Sequence, residues 1–139
     1  MSKQEVKITY QENMAFKANV QGHEIMLDAS EEVGGENRGP RPKPLMLTAL
    51  AGCTGMDVVS ILKKMKVEFD AFNVIVEGDL TEEHPKQFYK MNVIYEFKGN
   101  DLPLEKLKKA VSLSEERYCG VSATYRKAFE ITSEIRIIN

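Results

Sequence analysis

The amino-acid sequence predicts an α+β fold in which antiparallel sheets pack on two long central helices. Segments near both ends and in the centre of the chain alternate apolar and polar residues, as half-buried strands do. Between them lie two stretches with helical spacing of apolar residues and no interior proline. Because two predicted strands adjoin in the centre of the chain, the order fits α+β better than a doubly wound parallel sheet.

The length and charge of the chain indicate one domain that does not bind nucleic acid or a membrane surface. The chain has 139 residues, the usual size of one domain, so a single domain over residues 1–139 is expected. Its 19 Lys and Arg against 21 Asp and Glu give a net charge of −2, so no basic field exists to attract nucleic acid or a membrane surface. The apolar stretch 45–65 is interrupted by Asp57 and ends in lysines, and the first residues lack the order of a signal peptide. We therefore expect no membrane span and a cytoplasmic location.

The first half of the chain is predicted to contain strands, a loop and a helix. Residues 1–28 should form two or three N-terminal strands. Residues 29–44 are rich in glycine, proline and charge and should form a loop, which is long enough to be functional or to bridge parts of an assembly. Residues 45–66 should form a long helix that begins after Pro44. This helix is apolar nearly all round, which is typical of a buried helix.

The second half continues with a hairpin over residues 71–98. A second helix is predicted over 103–119, because Pro103 suits a first turn and Gly120 is a suitable stop. A final strand should occupy 129–138, where isoleucines alternate with polar residues.

Each predicted helix carries one cysteine, Cys53 in the first and Cys119 at the end of the second. Free cysteines are often buried and inert, and this interpretation stays open beside a redox one. Gly52 and Gly55 flank Cys53, and a glycine inside a helix costs up to about 1 kcal/mol relative to alanine. Close approach of another backbone, a ligand, or tight helix packing would each explain that cost.

A nucleophilic cysteine must be a thiolate, whereas burial raises the thiol pKa above about 8.5. Cys53 is too far along its helix for the N-terminal dipole to oppose this effect, so a side-chain cation is required. Candidates are Arg38, Arg41 and Lys43 on the loop, and Arg126 beyond the second cysteine.

The surroundings of the two cysteines should differ. Asp57, one turn beyond Cys53, would oppose its ionisation unless it orients a cation. Cys119, at a helix C-terminus near Glu115 and Glu116, should stay a thiol, provided that no new helix begins beneath it. This asymmetry suits a pair in which Cys53 is oxidised first and Cys119 condenses with the sulfenic acid to form a disulfide.

Other chemistry has little support in the sequence. His23 and His84 stand alone, so no metal site is expected. The glycines match no phosphate-binding motif, and no histidine lies near Ser60 or Ser122 to make a hydrolase nucleophile. No cofactor is expected.

Two segments of the sequence resemble the OsmC/Ohr family. The spacing and the order of the predicted elements also agree with that family over nearly the whole chain. Residues 41–59, RPKPLMLTALAGCTGMDVV, are similar to its first cysteine helix, and residues 110–122, AVSLSEERYCGVS, are similar to the partner segment. The resemblance implies an intertwined homodimer whose central helices pack together, with active sites at the subunit interface. It also implies reduction of organic hydroperoxides by thiols, with Cys53 peroxidatic and Cys119 resolving.

The resemblance further implies a lipoyl-type dithiol as reductant and no metal, haem or flavin. The substrate pocket is then expected near Met46, Leu50 and Met56. The family's activating arginine and its glutamate partner have no counterparts here, because Phe16-Lys17 and Lys43-Pro44 occupy those regions. The sequence is therefore closer to a divergent OsmC-like branch, and Arg38 or Arg41 could replace the arginine. The alternative is a non-catalytic protein of this fold that binds a small apolar ligand at the dimer interface.

Overall fold

Six strands and three α-helices follow one another along residues 2–139, the part of the chain that the computed structural model describes. Their order confirms the predicted α+β class. The strands are β1 (Lys7–Tyr10), β2 (Phe16–Val20), β3 (His23–Leu27), β4 (Ala71–Leu80), β5 (Phe88–Lys98) and β6 (Glu130–Ile138). The helices are α1 (Pro44–Lys64), α2 (Leu104–Leu113) and α3 (Gly120–Tyr125).

The chain forms two compact units, one up to Met46 and the other from Leu47 to Asn139. The first unit contains an antiparallel sheet in the order β1-β2-β3. Gln21 and Gly22 join β2 to β3, both with positive φ, as a two-residue hairpin turn of the right twist requires. The predicted N-terminal strands are confirmed.

The loop that follows β3 is organised around one buried carboxylate, Asp28. Its oxygens accept backbone N–H groups of Ala29 at 2.7 Å and of Glu36 and Arg38 at 3.1 Å. Burial acts to raise the pKa of Asp28, but these hydrogen bonds and the Arg38 guanidinium hold it below its usual value. The glycine- and proline-rich segment is therefore a closed structure, which includes a short 3-10 helix over Glu31–Val33.

The second unit contains the sheet β4-β5-β6, with β5 in the centre. The predicted hairpin is present, since β4 and β5 are antiparallel. β6, in contrast, pairs with β5 in parallel. The antiparallel arrangement expected throughout thus holds for the first sheet and for β4–β5 only. The chain leaves β5, passes through α2 and α3, and returns beside β5 in the same direction, as a helical crossover requires.

Helix α1 places one stripe of side chains in the core of the second unit. Leu50, Thr54, Val58 and Leu62, four residues apart, are all buried there. On the single chain the opposite face is open, and Met56 is 77% exposed. By length and composition α1 could also cross a membrane, but its packed stripe is that of a core helix.

The second cysteine segment is not the continuous helix predicted over 103–119. α2 ends at Leu113, and residues 114–118 form a π-helical turn in which the N–H of Cys119 donates to Ser114 O at 2.8 Å. Cys119 has an extended backbone, which breaks the helix one residue earlier than expected. Gly120 therefore begins α3 rather than ending the preceding helix.

Candidate active site

The structure brings the two cysteines together from different elements. Cys53 is half-buried on α1, and Cys119 is buried where the π-helical turn meets α3. Both Sγ atoms and a carboxylate oxygen of Asp57 lie within 4.8 Å of one another. Both cysteines are free thiols. The two sulfurs, whose separation the sequence alone leaves undetermined, are thus neighbours in the fold.

The first turn of α3 supplies a hydrogen-bond donor to each sulfur. The N–H of Ser122 donates to Cys119 Sγ at 3.3 Å, and the N–H of Val121 donates to Cys53. The sequence predicted that a helix C-terminus would keep Cys119 a neutral thiol, provided that no new helix begins there. Because α3 does begin there, with Cys119 as its N-cap, this reason for a neutral thiol does not apply.

Asp57 connects α1 to the π-helical turn. The hydroxyl of Ser114 donates to Asp57 Oδ2 at 3.0 Å. Within residues 2–139, Asp57 forms no ion pair. Asp57 therefore adds negative charge beside the thiols and does not orient a cation, which the sequence analysis had left open.

The pKa of the Cys53 thiol is raised above its ordinary value of 9.0. Burial is the largest cause, followed by the hydrogen bond with Cys119, and the Asp57 charge acts in the same direction. The N–H of Val121 opposes these effects only in part. Within the single chain, the surroundings of Cys53 favour the neutral thiol.

The loop arginines proposed as thiolate partners make contacts inside the first unit. Arg38 reaches three carboxylates, Glu12 at 3.2 Å, Glu36 at 3.4 Å and Asp28 at 3.5 Å. Its guanidinium is thus engaged in ordering the loop. Its role toward Cys53 stays a prediction.

The other two predicted cations differ in their surroundings. Arg41 donates to the carbonyl of Gly39 and to the side-chain oxygen of Asn37, both at 2.8 Å. Arg126 is exposed at the C-terminus of α3. A thiolate-stabilising role for either one remains a prediction.

An apolar groove of about 510 Å³ lies between α1 and β4. Of the three predicted pocket residues, Met56 lines this groove, Leu50 is fully buried in the core, and Met46 belongs to the first unit. The lining consists of Gly52, Gly55, Met56, Val59, Ser60, Lys63, Phe72 and Val74.

The two glycines beside Cys53 have different surroundings. A Cβ atom on Gly55 would lie 3.2 Å from Val74 Cγ2, so the close packing of α1 on β4 favours glycine there. A Cβ atom on Gly52 would meet nothing within 4 Å. Gly52 instead lines the open groove, which leaves room for a second surface or a ligand.

A polar network that links the buried Tyr95 to the half-buried Glu115 and the exposed Ser133 has no signal in the sequence. The hydroxyl of Tyr95 donates to Glu115 Oε2 at 3.2 Å, and Ser133 donates to Glu115 Oε1 at 3.0 Å. Burial and the charge of Glu115 raise the pKa of Tyr95, and Cys119 contributes to the same shift. The three residues come from β5, the π-helical turn and β6, so no local sequence signal could have joined them.

The fold and the paired thiols together define a class, the small α+β proteins that place two cysteines from different elements close together. A family model described as OsmC-like protein matches residues 34–134. The chain belongs to the OsmC-like protein family, which confirms the resemblance stated from the sequence.

The chain is also similar to known proteins over nearly its whole length. Protein YhfA of Escherichia coli strain K12 is 30% identical over 135 residues, which cover 96% of this chain and 98% of YhfA. The crystal structure of a hypothetical protein from Aquifex aeolicus has a TM-score of 0.82 at 28% identity, with both chains fully covered. The organic hydroperoxide resistance protein OhrB of Bacillus subtilis has a TM-score of 0.68 at 16% identity, over 97% of this chain and 98% of OhrB, and so shares the fold.

Proposed function

We propose that this chain is a thiol-dependent peroxidase that reduces organic hydroperoxides in oxidative stress defence in the cytoplasm. The observation that carries the proposal is the cysteine pair, whose Sγ atoms lie within 4.8 Å. To form a disulfide the sulfurs need to approach by less than about 3 Å. The name of the similar OhrB structure, an organic hydroperoxide resistance protein, supports the same substrate class.

The reaction begins at Cys53, the more exposed of the two sulfurs. Its thiolate attacks the distal peroxide oxygen and breaks the O–O bond, giving a sulfenic acid and, with one proton, the alcohol. The Cys119 sulfur then attacks the sulfenic sulfur, so that a disulfide forms and water leaves. A dithiol of the lipoyl type reduces the disulfide by exchange and restores both thiols.

The groove beside Cys53 supports a second part of the proposal, a homodimer. Met56 lines this apolar groove and is 77% exposed, and large exposed apolar patches mark interaction sites. The family resemblance implies that the central helices of two subunits pack together, and the open face of α1 is free in the single chain for such a contact. In the dimer, the hydroperoxide would enter an apolar pocket at the interface, and a cation such as Arg38, Arg41 or Arg126 could act on Cys53 from either subunit.

A second candidate function is the binding of a small apolar ligand without catalysis. The raised pKa of Cys53 favours it, because a neutral thiol is a poor nucleophile. In this case the interfacial groove would hold the ligand and the thiols would stay reduced.

Consumption of cumene hydroperoxide in the presence of dihydrolipoamide separates the two functions. The wild type, Cys53→Ser and Cys119→Ser proteins are compared after chelator treatment. A peroxidase loses turnover in Cys53→Ser. In Cys119→Ser it forms the sulfenic acid but no internal disulfide.

A wild-type protein that consumes peroxide no faster than Cys53→Ser is not a peroxidase of this type. Saturable binding of an apolar fluorescent probe by that inactive protein would then support the binding function.

A further inference from the structure

The two cysteines and Asp57 form a set of donors that the peroxidase chemistry does not fully use. The disulfide cycle needs both sulfurs but gives no task to the carboxylate. That carboxylate is half-buried, has the Ser114 hydroxyl as its hydrogen-bond donor, and lies within 4.8 Å of both sulfurs. Two thiols and one carboxylate without a neighbouring ion-pair partner in residues 2–139 are a site suited to a cation.

We propose that the reduced protein binds one Zn²⁺ ion, or a similar thiophilic d¹⁰ cation, through Cys53, Cys119 and Asp57. Thiolate and carboxylate are both established zinc ligands, and thiolates discriminate against Mg²⁺ and Ca²⁺. Three protein ligands leave the fourth tetrahedral position for water or another small ligand. The sequence predicts no metal site, because its two histidines are isolated and nothing in the sequence shows that these three residues lie together.

The spacing of the donors fits this coordination after a small contraction. At a zinc–sulfur distance of about 2.3 Å, two thiolates on a tetrahedral ion lie roughly 3.8 Å apart, and a thiolate and a carboxylate oxygen roughly 3.6 Å apart. The observed separations are all within 4.8 Å, so no pair has to close by more than about 1.2 Å. Rotation of the side chains is sufficient for such a movement.

The groups around the donors would hold them in place. Ser114 donates to one carboxylate oxygen of Asp57 and leaves the other for a metal. Backbone N–H groups of Val121 and Ser122 donate to the two sulfurs, as outer hydrogen bonds commonly do at thiolate metal sites.

Metal binding and disulfide formation exclude each other, because each uses both sulfurs. Binding displaces the two thiol protons, and oxidation of the thiols would release the ion. The inference uses the same side chains as the proposed function but does not require peroxidase activity. A zinc-bound form would be protected from oxidation until the metal is removed.

The test is a titration of chelator-treated, fully reduced protein with Zn²⁺ in competition with a chromogenic zinc indicator. We expect one ion per chain, protection of both thiols from alkylation, and loss of binding in Cys53→Ser and Cys119→Ser. Asp57→Asn should weaken binding by at least about tenfold. Asp101→Asn, an exposed carboxylate far along the chain from these residues, serves as the matched control and should bind like wild type.

A second measurement does not depend on the stability of the variants. Co²⁺ added to the reduced wild type should give sulfur-to-cobalt charge-transfer absorption, which iodoacetamide treatment beforehand should abolish. Stoichiometry below one ion per chain, absence of charge-transfer absorption, or unchanged affinity in Asp57→Asn would each overturn the proposal. Peroxidase turnover measured with excess chelator tests the proposed function separately, so the two can fail independently.

Discussion

Cys53 combines an accessible position with surroundings that favour its neutral form. It is half-buried, whereas Cys119 is buried, so Cys53 is the sulfur that a peroxide can reach. Burial, Cys119 and Asp57 all raise its pKa, and the N–H of Val121 lowers it only in part. The reactivity of Cys53 should therefore depend strongly on pH.

We expect the rate of peroxide consumption to rise with pH across the neutral range and beyond 9.0, the ordinary value for this thiol. The reason is that the raised pKa keeps the thiolate, the reactive form, scarce until alkaline pH. The measurement is a pH–rate profile of the reduced, chelator-treated protein, with Cys53→Ser as the baseline. A plateau reached below pH 7 would mean that a cation lowers the pKa, as the predicted arginines could do.

The buried Asp28 carboxylate should contribute to the stability of the fold. Asp28→Asn should lower the unfolding midpoint, because the amide cannot replace a carboxylate that accepts three backbone N–H groups and faces Arg38. Since the folded-state pKa is lowered, this contribution is complete above the unfolded value of about 3.9 and is lost as pH falls through the folded value. Thermal unfolding at pH 7 and at pH 3 measures it.

The control for Asp28 is Glu24→Gln, an exposed residue of the same unit paired with Lys17. It should change the midpoint little, as exposed ion pairs usually do. A difference between wild type and Asp28→Asn that is as large at pH 3 as at pH 7 would show that the carboxylate charge is not the cause.

At the scale of elements, the π-helical turn positions Cys119. The turn contains Ser114, which accepts the Cys119 N–H through its carbonyl and donates to Asp57 through its hydroxyl. One residue therefore ties Cys119 to the helix that carries Cys53.

Ser114→Ala should slow disulfide formation several-fold after peroxide addition while sulfenic acid still forms at Cys53. The lost hydrogen bond costs about 1 kcal/mol and frees the turn from α1. Trapping the sulfenic acid with dimedone, followed by mass spectrometry, distinguishes the two steps. Ser112→Ala, on α2 just before the turn and outside this link, should behave like wild type. Equal rates in all three proteins would contradict a positioning role.

The sequence predicted most elements but not the break at Cys119 or the direction of β6. Apolar spacing and flanking prolines were sufficient for α1, which ends at Lys64, and for the hairpin. Two hydrogen bonds lie at the break at Cys119: the Ser114 hydroxyl donates to Asp57, and the Ser122 N–H donates to Cys119 Sγ. The first of these bonds depends on α1, which is distant in the sequence. Alternation along β6 is the same for parallel and antiparallel pairing, so only the crossover through α2 and α3 determines its direction.

For the site, the family resemblance predicted the cysteine pair, but local patterns could not supply its surroundings. The distance between the sulfurs, the Ser114–Asp57 bond and the Tyr95–Glu115 pair each join residues that are at least twenty positions apart. Such contacts depend on the packing of whole elements, which periodicity does not specify.

At the scale of the molecule, the open groove tests the proposed homodimer. Met56→Glu places a charge in the apolar groove and should weaken the proposed dimer by about 30-fold or more, as loss of a well-packed interface residue does. Leu104→Glu is the control, because Leu104 is exposed, lies outside the groove, and begins a helix where an acidic residue is favourable. Sedimentation over a range of concentrations gives the result. A wild-type monomer, or a Met56→Glu dimer as stable as wild type, would contradict the proposal.

The central claim is that Cys53 and Cys119 of one chain react as a pair with an organic hydroperoxide. The most direct measurement adds one equivalent of cumene hydroperoxide to the reduced, metal-free protein and analyses the denatured but unreduced protein, its peptides and the products by mass spectrometry. We expect one equivalent of cumyl alcohol and a peptide in which Cys53 is joined to Cys119 of the same chain. Unconsumed peroxide with both thiols free, or a disulfide that joins two chains, would contradict the account.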